Sequence, residues 1–474
     1  MSADCQVYLL DPKNLSPETI AVTFAKTSRS PQSFREIAAE LNDEKSAQFH
    51  EKWVVGYGHA SVAEHAVLHI AVENCSRLAV EALESCRLAS YTEKSTRYQK
   101  WTPQDHHTPA ELDGHALRPV FIRTIEALFT SYQEALPAVK AVIEQEHPRE
   151  EGENDGAWER RIRSRYVDIC RFYLPAAALA NVGMTINARA LEHSISKMLS
   201  HPLLEVQALG RELKRVAQEN TPTLVKYANP IPYLDAVQSD LTRSAAEFLS
   251  QRSEPSDWCQ LVDYDRELEN RILAACLYRF GENDYAHTLS TVHNLTPTDR
   301  QRLAQEILAS LEKYVIPLRE LEYGNFAFDL MLDQGGYFEL KRHRMMTQTP
   351  QLLTTRLGYA LPRRIVTAGL EQHFRNAMQL AEQAYEQVAA WNPAVASYLV
   401  PNAFNRRVLL QLNLRSALHL VSLRSAPNAH FSLRRATQRM AEEMRAVMPL
   451  LGAYIRTEPN ETWQQVEKDH FAQV

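Results

Sequence analysis

The sequence predicts an α+β fold in which helices dominate, built from two copies of one unit in tandem. Long runs such as 204–219 and 370–390 place apolar residues at the spacing of amphipathic helices. Few segments have the character of strands, and one long stretch of the chain matches a later stretch without a shift in register. Together these observations indicate a duplicated, helix-rich unit with a smaller sheet component.

Size and composition indicate a folded chain with a mildly acidic balance. The 474 residues are 45% hydrophobic, enough for sizeable cores, and the length suggests two to four domains. The formal net charge of -6 provides no basic field for a polyanion, so we expect no nucleic-acid partner. The start lacks signal-peptide features, and no stretch reaches the roughly 20 apolar residues of a membrane helix. We therefore expect a cytoplasmic protein with no membrane partner.

The six cysteines show neither a CxxC pair nor paired metal-ligand spacing. They are Cys5, Cys75, Cys86, Cys170, Cys259 and Cys276. We expect reduced, mostly buried thiols and no metal site.

Each copy opens with a similar pair of elements. Segment 5–11 reads as a strand, and a helix over 17–25 is expected to begin near Ser16. From Cys259 the chain again shows a short apolar strand followed by a helix-forming stretch. The dipeptide Cys-Gln opens both, which supports a repeated unit.

A longer internal match joins LPAAALANVGMTINARALEHSIS from Leu174 to VPNAFNRRVLLQLNLRSALHLVS from Val400. The positions in step are Pro175 and Pro401, Asn187 and Asn413, Arg189 and Arg415, and His193 and His419. In each copy the Arg and the His lie four residues apart on one helical face. A pair of buried polar networks would explain either helix alone, but two copies in matched surroundings favour a duplication.

The repeats are expected to span 1–235 and 259–474. Between them, the polar stretch 236–258 ends with Ser, Glu and Pro and suits a linker. Within the first repeat, 144–161 is acidic and poor in apolar residues, which predicts an exposed insertion or mobile loop. A solvated connection without a function is the simplest explanation of that loop.

Three segments of the first repeat resemble, in this order, the flavin-dependent thymidylate synthases: 56–65, 84–98 and the N-x-R helix. The first two supply Gly58, His59, Ser61, Glu64, His65, Arg87, Ser90, Glu93, Ser95, Arg97 and Tyr98. The chain departs from the family's R-H-R-x-x-S-x-N-E-x-S-x-R-Y signature at Ser85, Cys86 and Thr92.

The second repeat departs from that signature in the opposite way. It keeps Arg342, His343 and Arg344, but it has Pro350 and Gln351 where the family has its carboxylate. It has Glu339 in place of the family's Gln, and Ser397 where the first repeat has Arg171. It keeps Arg424 at the position of the family's uracil-facing Arg, where the first repeat has Lys197 or Met198.

This division implies one complete site formed between unlike repeats, because the family builds its nucleotide site across an interface between protomers. The second repeat retains Arg342 and Arg424, whereas the first retains the E-x-S-x-R tail and Arg171. The reciprocal site would lack groups on both sides.

The resemblance assigns catalysis to Arg424 and His59. Substrate-binding residues implied in the same way are Arg342, Glu93, Ser95, Thr96, Arg97, Arg171 and Arg424. Cofactor-binding residues so implied are Ser61, Glu93, Arg342, His343, Arg344, Asn187, Arg189, His193, Asn413, Arg415, His419 and His430. Arginine forks and a serine hydroxyl suit a phosphate, and a cation beside the uracil ring stabilises the ionised base without a cysteine nucleophile.

The function implied by the resemblance is FAD-dependent conversion of dUMP to dTMP, with methylenetetrahydrofolate and NADPH as co-substrates. The partners are then a nucleotide and a folate, and because the family is a homotetramer, two fused chains should form a homodimer. Two alternatives are a flavoenzyme of the same fold acting on another pyrimidine or acceptor, and a non-catalytic nucleotide-binding or scaffold descendant.

Each motif taken alone also has a purely structural explanation. The R-H-R triplet resembles a solvated helix end, His59 and His65 could be core histidines, and Glu93 and Ser95 could be turn and cap residues.

Overall fold

The computed structural model describes residues 5–249, 257–312 and 315–472. Its α-helices are α1 Pro17–Thr27, α2 Phe34–Glu40, α3 Asp43–Phe49, α4 Arg77–Leu83, α5 Arg118–Glu146, α6 Asp155–Cys170, α7 Ala188–Leu199, α8 Leu204–Gln218, α9 Pro232–Phe248, α10 Leu268–Phe280, α11 Tyr285–His293, α12 Pro297–Leu308, α13 Gln334–Leu340, α14 Arg363–Thr367, α15 Glu371–Ala389, α16 Pro393–Ala396, α17 Leu414–Arg424, α18 Phe431–Val447, α19 Pro449–Gly452 and α20 Trp463–His470. A π-helix spans His50–Gly56, and 3-10 helices lie at Ala60–His65, Ala110–Leu112, Arg171–Tyr173, Arg319–Tyr323 and Ser397–Leu399.

The strands are β1 Val67–Ser76, β2 Ala89–Glu93, β3 Leu179–Asn187, β4 Cys259–Tyr264, β5 Asn325–Asp333, β6 Thr347–Pro350, β7 Leu361–Pro362, β8 Asn405–Asn413 and β9 Phe471–Ala472. The predicted class, α+β with helices dominant, is confirmed. Within the described ranges, every helix is too short or too polar to cross a membrane.

The described residues form two compact units. Unit 1 takes them from Met1–Ser95, Gln104–Arg118 and Ala177–Arg252, and unit 2 from Thr96–Pro103, Pro119–Ala176 and Ser253–Val474. Unit 2 therefore contains parts of both sequence repeats. The limits of the repeats themselves stay a prediction.

Unit 1 contains a three-stranded antiparallel sheet in the order β1-β3-β2. Alternate residues of β3 are buried, as expected for a strand with one face against helices. The strand ends at Asn187, which lies opposite Val67 at the start of β1. Helices α7 and α8 pack closely at Gly210, because this residue has no side chain. A Cβ added there would lie 3.0 Å from the Cβ of Met198.

Unit 2 contains a four-stranded antiparallel sheet in the order β4-β5-β8-β6 and a two-stranded pairing of β7 with β9. Alternate residues of β8 are buried too, and β8 ends at Asn413, opposite Asn325 at the start of β5. The core packs the sheet against α10, α17 and α18 through residues such as Phe328, Leu410 and Met440. Because both sheets centre on an equivalent strand that ends in Asn, the duplicated unit is visible in the fold.

The strand and helix predicted at the start of each repeat are confirmed in the second repeat and only in part in the first. Helix α1 begins after its N-cap Ser16, and β4 and α10 follow Cys259 as expected. The strand predicted over 5–11 is wrong, since these residues form no regular element. Val7 and Leu9 are each 94% exposed, because no neighbouring strand pairs with this segment.

The stretch 144–161, expected to be an exposed insertion or mobile loop, contains no buried residue, as expected, but it is helical at both ends. Helix α5 continues to Glu146 and α6 begins at Asp155, and residues 147–154 connect them without regular structure. The Asn154 side chain accepts from the Ala157 amide at 2.9 Å and caps α6. Nearby, Arg161 pairs with Glu153 at 2.6 Å, so acidic residues that suggested disorder are held in ion pairs.

The stretch expected to be a linker, 236–258, is helical at its beginning. Helix α9 runs to Phe248 with no buried residue, which explains the polar composition. Residues 250–256 lie outside the described part of the chain.

Candidate functional site

Segments of both repeats pair within unit 2. The Ala176 amide donates to the Val400 carbonyl at 3.0 Å, and the Asn402 amide donates to the Leu174 carbonyl at 2.9 Å. The two prolines between these partners face each other in an antiparallel bridge. Because the partners occupy equivalent positions of the two repeats, the contact is reciprocal, as it is across a two-fold axis.

Arg171 lies just beyond this pairing, in the 3-10 turn that follows α6, and is only 2% exposed. Its Nε lies 2.9 Å from Asp168 Oδ1, and its Nη1 donates to Thr96 Oγ1 at 3.1 Å. Its carbonyl oxygen accepts from Asn402 Nδ2 at 3.0 Å. The second repeat therefore helps to hold an arginine of the first.

Asp168 joins Arg171 to a second predicted substrate residue, Arg97. The Arg97 Nε lies 3.2 Å from Asp168 Oδ2, and Arg97 Nη1 donates to the Asn428 carbonyl at 3.2 Å. Burial alone would raise the pKa of Asp168, but Arg171, His430 and Arg97 hold that pKa well below its usual range. Asp168 is therefore an ionised carboxylate that fixes two guanidinium groups.

Glu339, near the end of α13, brings in an arginine of the second repeat. Its Oε1 lies 3.4 Å from Arg171 Nη2 and 3.9 Å from Arg97 Nη1, and its Oε2 accepts from Arg424 Nη1 at 3.3 Å. Burial opposes ionisation of this carboxyl, yet Arg171, His430 and Arg97 lower its pKa below the ordinary value. We call Arg97, Arg171 and Arg424 the arginine cluster.

His343 orients Arg424. The Arg424 Nε donates to His343 Nε2 at 2.8 Å, so the ring proton of neutral His343 lies on Nδ1. Burial, together with Arg424, His419 and Arg342, lowers the pKa of His343 to about 3. His343 is therefore neutral near pH 7 and leaves an N–H donor on its other nitrogen.

His430 is fully buried on the far side of Asp168. Its Nδ1 lies 3.0 Å from Asp168 Oδ2, and its Nε2 lies 3.2 Å from Ser432 Oγ and 3.9 Å from Asp333 Oδ1. Burial lowers the pKa of His430, but Asp168 and Asp333 together raise it above its ordinary value. Asp333 also caps α13, accepting from the Gly336 amide at 2.8 Å. The neighbours of His430 thus tie the cluster to the start of that helix.

Other predicted residues of unit 2 occupy surrounding positions. Arg342 is exposed just after α13, and Arg344 is partly buried. The Asn413 side chain caps α17, accepting from the Ser416 amide at 2.9 Å. Arg415 Nη1 pairs with Glu322 at 2.6 Å. The helix-end interpretation of R-H-R therefore holds for Arg342 only, since the middle histidine turns inward.

Further along the same helix face, His419 is exposed, and its ring centroid lies 5.6 Å from that of His343.

In unit 1 the N-x-R helix of the first repeat, α7, has the same arrangement as α17. The Asn187 side chain caps α7 by accepting from the Ala190 amide at 2.9 Å, Arg189 pairs with Glu64 at 2.5 Å, and His193 is exposed. The asparagine-capped helix is thus common to both repeats.

The remaining predicted residues of unit 1 lie in two places. Glu93 ends β2 and forms a buried ion pair with Arg77, so its interpretation as a turn or cap residue is wrong. Ser95 is partly buried, while His59 and Ser61 are exposed. His59 and His65 are not core histidines, because the 3-10 helix Ala60–His65 runs along the surface.

Sequence reasoning missed three residues that support the cluster: Asp168, Asp333 and Ser432. A signal existed for Asp168, because it lies three residues before Arg171 at the end of a helix, a spacing that brings side chains together. Asp333 could have been recognised as a cap before Gln334 and the two glycines that begin α13. The sequence around Ser432 gave no signal that its side chain would contact the buried His430.

Within the described residues, no group of three or more His, Cys, Asp or Glu side chains could hold a metal ion. The expectation of mostly buried thiols is confirmed for Cys75, Cys170, Cys259 and Cys276, and burial raises the pKa of Cys276 to about 11.

A cavity of about 230 Å³ in unit 2 adjoins the cluster, with Arg97 and Asp168 in its wall. Further basic and aromatic residues of the wall are Arg161, Arg165, Arg364, Arg434, Tyr98 and Phe431. Four of the five arginines in the wall already form ion pairs: Arg97 with Asp168, Arg161 with Glu153, Arg364 with Glu146 and Arg434 with Glu461.

Comparison with known proteins identifies the family. The family model for thymidylate synthase complementing protein, Thy1, matches residues 10–223 and again residues 260–450. A UPF0159 protein of Chlamydia muridarum is 32% identical over 435 residues, which are 88% of this chain and 82% of that protein. A flavin-dependent thymidylate synthase of Clostridium tetani is 28% identical over 217 residues, 45% of this chain and 83% of that enzyme.

A crystal structure of a UMP/dUMP methylase from Streptomyces cacaoi covers 43% of this chain and 95% of its own, at 14% identity and a TM-score of 0.34. A likeness of that size carries no argument about this chain. The two successive matches of the family model together span most of the sequence, and both matched segments contain an asparagine-capped helix after an equivalent strand. This chain therefore belongs to the Thy1 family of flavin-dependent thymidylate synthases, as a tandem duplication of the family's unit.

Proposed function

We propose that this protein converts dUMP to dTMP with FAD as cofactor and methylenetetrahydrofolate and NADPH as co-substrates, at a composite site supplied by unlike repeats. Membership of the family supports the general reaction. The observation that carries the composite site is the arginine cluster, where Arg97 and Arg171 of the first repeat and Arg424 of the second contact one carboxylate.

The phosphate of the nucleotide would bind to the first-repeat side of the cluster. Arg171 and Arg97 present guanidinium groups already oriented by Asp168, so little side-chain entropy is lost when a phosphate arrives. Asp168, a buried carboxylate whose pKa is lowered by these cations, would hold both groups in place.

Arg424 would lie beside the uracil ring, where negative charge develops as the attacked carbon becomes a nucleophile. A fixed cation stabilises that charge without reorganising during the reaction. The bond from Arg424 Nε to neutral His343 supplies the fixed orientation. If His343 were protonated it could not accept this bond, so its low pKa supports the arrangement.

The residues near His343 fit FAD by the chemistry of their donors. Arg342 and Arg344 flank His343 and offer cations suited to a pyrophosphate, while His343 Nδ1–H is a directed donor suited to a ring acceptor. Bound FAD would supply hydride transfer for the reductive step. The role of the protein residues is to bind, to orient, and to keep His343 in one tautomer.

Two measurements test the proposal in order. The purified protein, incubated with FAD and separated from free cofactor, should retain flavin absorption. It should then release tritium from dUMP labelled at the attacked carbon when methylenetetrahydrofolate and NADPH are present. Absence of flavin binding would count against any flavoenzyme, including one acting on another pyrimidine. Flavin binding without tritium release would overturn only the assignment of dUMP as substrate.

A further inference from the structure

Glu339 occupies the position that an anionic ligand of the arginine cluster would take. The side chain is buried, at 5% exposure of the residue, and its two oxygens reach arginines of different repeats. Oε1 lies 3.4 Å from Arg171 and Oε2 lies 3.3 Å from Arg424. The protein therefore carries its own anion between the groups proposed to bind phosphate and base.

The contacts of Glu339 are long for charge-assisted hydrogen bonds, which are usually about 2.7–2.9 Å between nitrogen and oxygen. Its distances to Arg97, Arg171 and Arg424 are 3.9, 3.4 and 3.3 Å. The carboxylate is shared among three cations and is bound closely to none.

Asp168 differs from Glu339 in this respect. It contacts Arg171 at 2.9 Å and His430 at 3.0 Å, and it lies on the same helix and turn as Arg171. Asp168 thus has the closer ion-pair contacts and lies near Arg171 in the chain, so Glu339 is the carboxylate that we expect a ligand to replace.

A ligand phosphate on the same guanidinium groups would lie close to a second negative charge. Like charges brought together in a buried setting repel each other strongly unless cations compensate both. The charged groups that face Glu339 are Arg97, Arg171, Arg424, His430 and Asp168. Asp168 already neutralises part of this positive charge. An anion with a single binding group therefore gains little binding free energy at the cluster.

We propose that Glu339 is a specificity-determining residue that competes with ligands for the arginine cluster, so that inorganic phosphate is rejected and only a ligand engaging both Arg171 and Arg424 displaces it. This inference rests on the proposed function for the identity of that ligand, a pyrimidine nucleoside monophosphate. The competition itself follows from the carboxylate and the three arginines alone.

The test is binding calorimetry near pH 7 with two probes, inorganic phosphate and dUMP, on wild type and Glu339→Gln. The substitution keeps the shape and removes the charge, so we expect both probes to bind about tenfold more tightly or better. Phosphate should gain more than dUMP in relative terms, because the nucleotide already has a second anchor at Arg424. The matched control is Asp329→Asn, whose carboxylate pairs with Arg407 at 2.7 Å and contacts no cluster residue in the described structure.

Equal or weaker binding of both probes by folded Glu339→Gln, as judged by circular dichroism, would overturn the inference. If Glu339→Gln does not fold, Glu339→Asp carries the test, because the shorter side chain withdraws the carboxylate from the arginines. Its phosphate affinity should then exceed that of wild type, and unchanged affinity would also overturn the inference.

The two proposals fail separately. Tighter phosphate binding by the variant, with no dUMP binding to either protein, would support the competition and contradict the proposed function. Detectable dUMP binding, with neither probe bound more tightly by the variant, would contradict the competition and leave the proposed function standing.

Discussion

Arg424 is oriented by two neighbours, His343 through Nε and Glu339 through Nη1. If its cation stabilises charge on the base, Arg424→Ala should lower kcat/KM for dUMP by about 100-fold or more, the usual cost of losing a preorganised electrostatic group. Steady-state tritium release measures this. Flavin absorption of the variant checks that the cofactor still binds.

The control for Arg424→Ala comes from the equivalent end of α7. Met198 occupies the matching position but is only 2% exposed, so its truncation would open a cavity. Lys197 is exposed and bonds to Ser85 at 3.2 Å, so Lys197→Ala should leave turnover unchanged. Equal losses in the two variants would contradict a composite site.

Asp168 is the buried carboxylate on which the first-repeat side of the cluster depends. Asp168→Asn leaves Arg171, Arg97 and His430 without their shared partner, and breaking such a buried network typically costs about 3–5 kcal/mol. Urea unfolding at pH 7 should show a loss of that size. Glu212→Gln, which removes an exposed partner of Arg215, should leave the urea midpoint nearly unchanged.

The lowered pKa of Asp168 predicts how the free energy of unfolding depends on pH. The pKa of Asp168 is lower in the folded protein than in the unfolded chain, so its stabilisation is present above the unfolded value and is lost as the pH falls through the folded one. Below about pH 4, wild type should therefore lose stability more steeply with falling pH than Asp168→Asn. Parallel pH profiles of the urea midpoint would contradict this assignment.

At the scale of elements, two equivalent helices begin with an asparagine cap. Asn187 and Asn413 each accept from a backbone amide at 2.9 Å, at the first turns of α7 and α17. Replacing either by Ala should cost about 1 kcal/mol of stability. Thermal unfolding of the two variants measures the cap, and flavin retention separately measures any cofactor contact. A stability loss near zero would contradict the capping role.

Helices were the elements that the sequence predicted best. The amphipathic runs 204–219 and 370–390 became α8 and α15, because their apolar period alone selects the buried face. Segment 5–11 failed as a strand since an apolar stretch becomes a strand only when another strand pairs with it. The acidic stretch 144–161 is exposed as expected, but its helical ends were missed because their ion pair and cap could not be inferred from composition.

At the scale of the whole molecule, the family's tetramer of single units leads us to expect a homodimer of this duplicated chain. Light scattering coupled to size exclusion should then give twice the 54.1 kDa of one chain. A mass of one chain, at concentrations where the enzyme is active, would contradict the expected assembly.

The sequence by itself determined the fold class, the duplication and the unequal loss of motifs, because these depend on local periodicity and on residues compared at matched positions. Pairing of the two proline turns and convergence of Arg97, Arg171 and Arg424 on Glu339 were decided only by the tertiary structure. These partners are far apart in the chain, and a buried charge acquires its neighbours, its pKa and its competition with ligands only when packing excludes water around it.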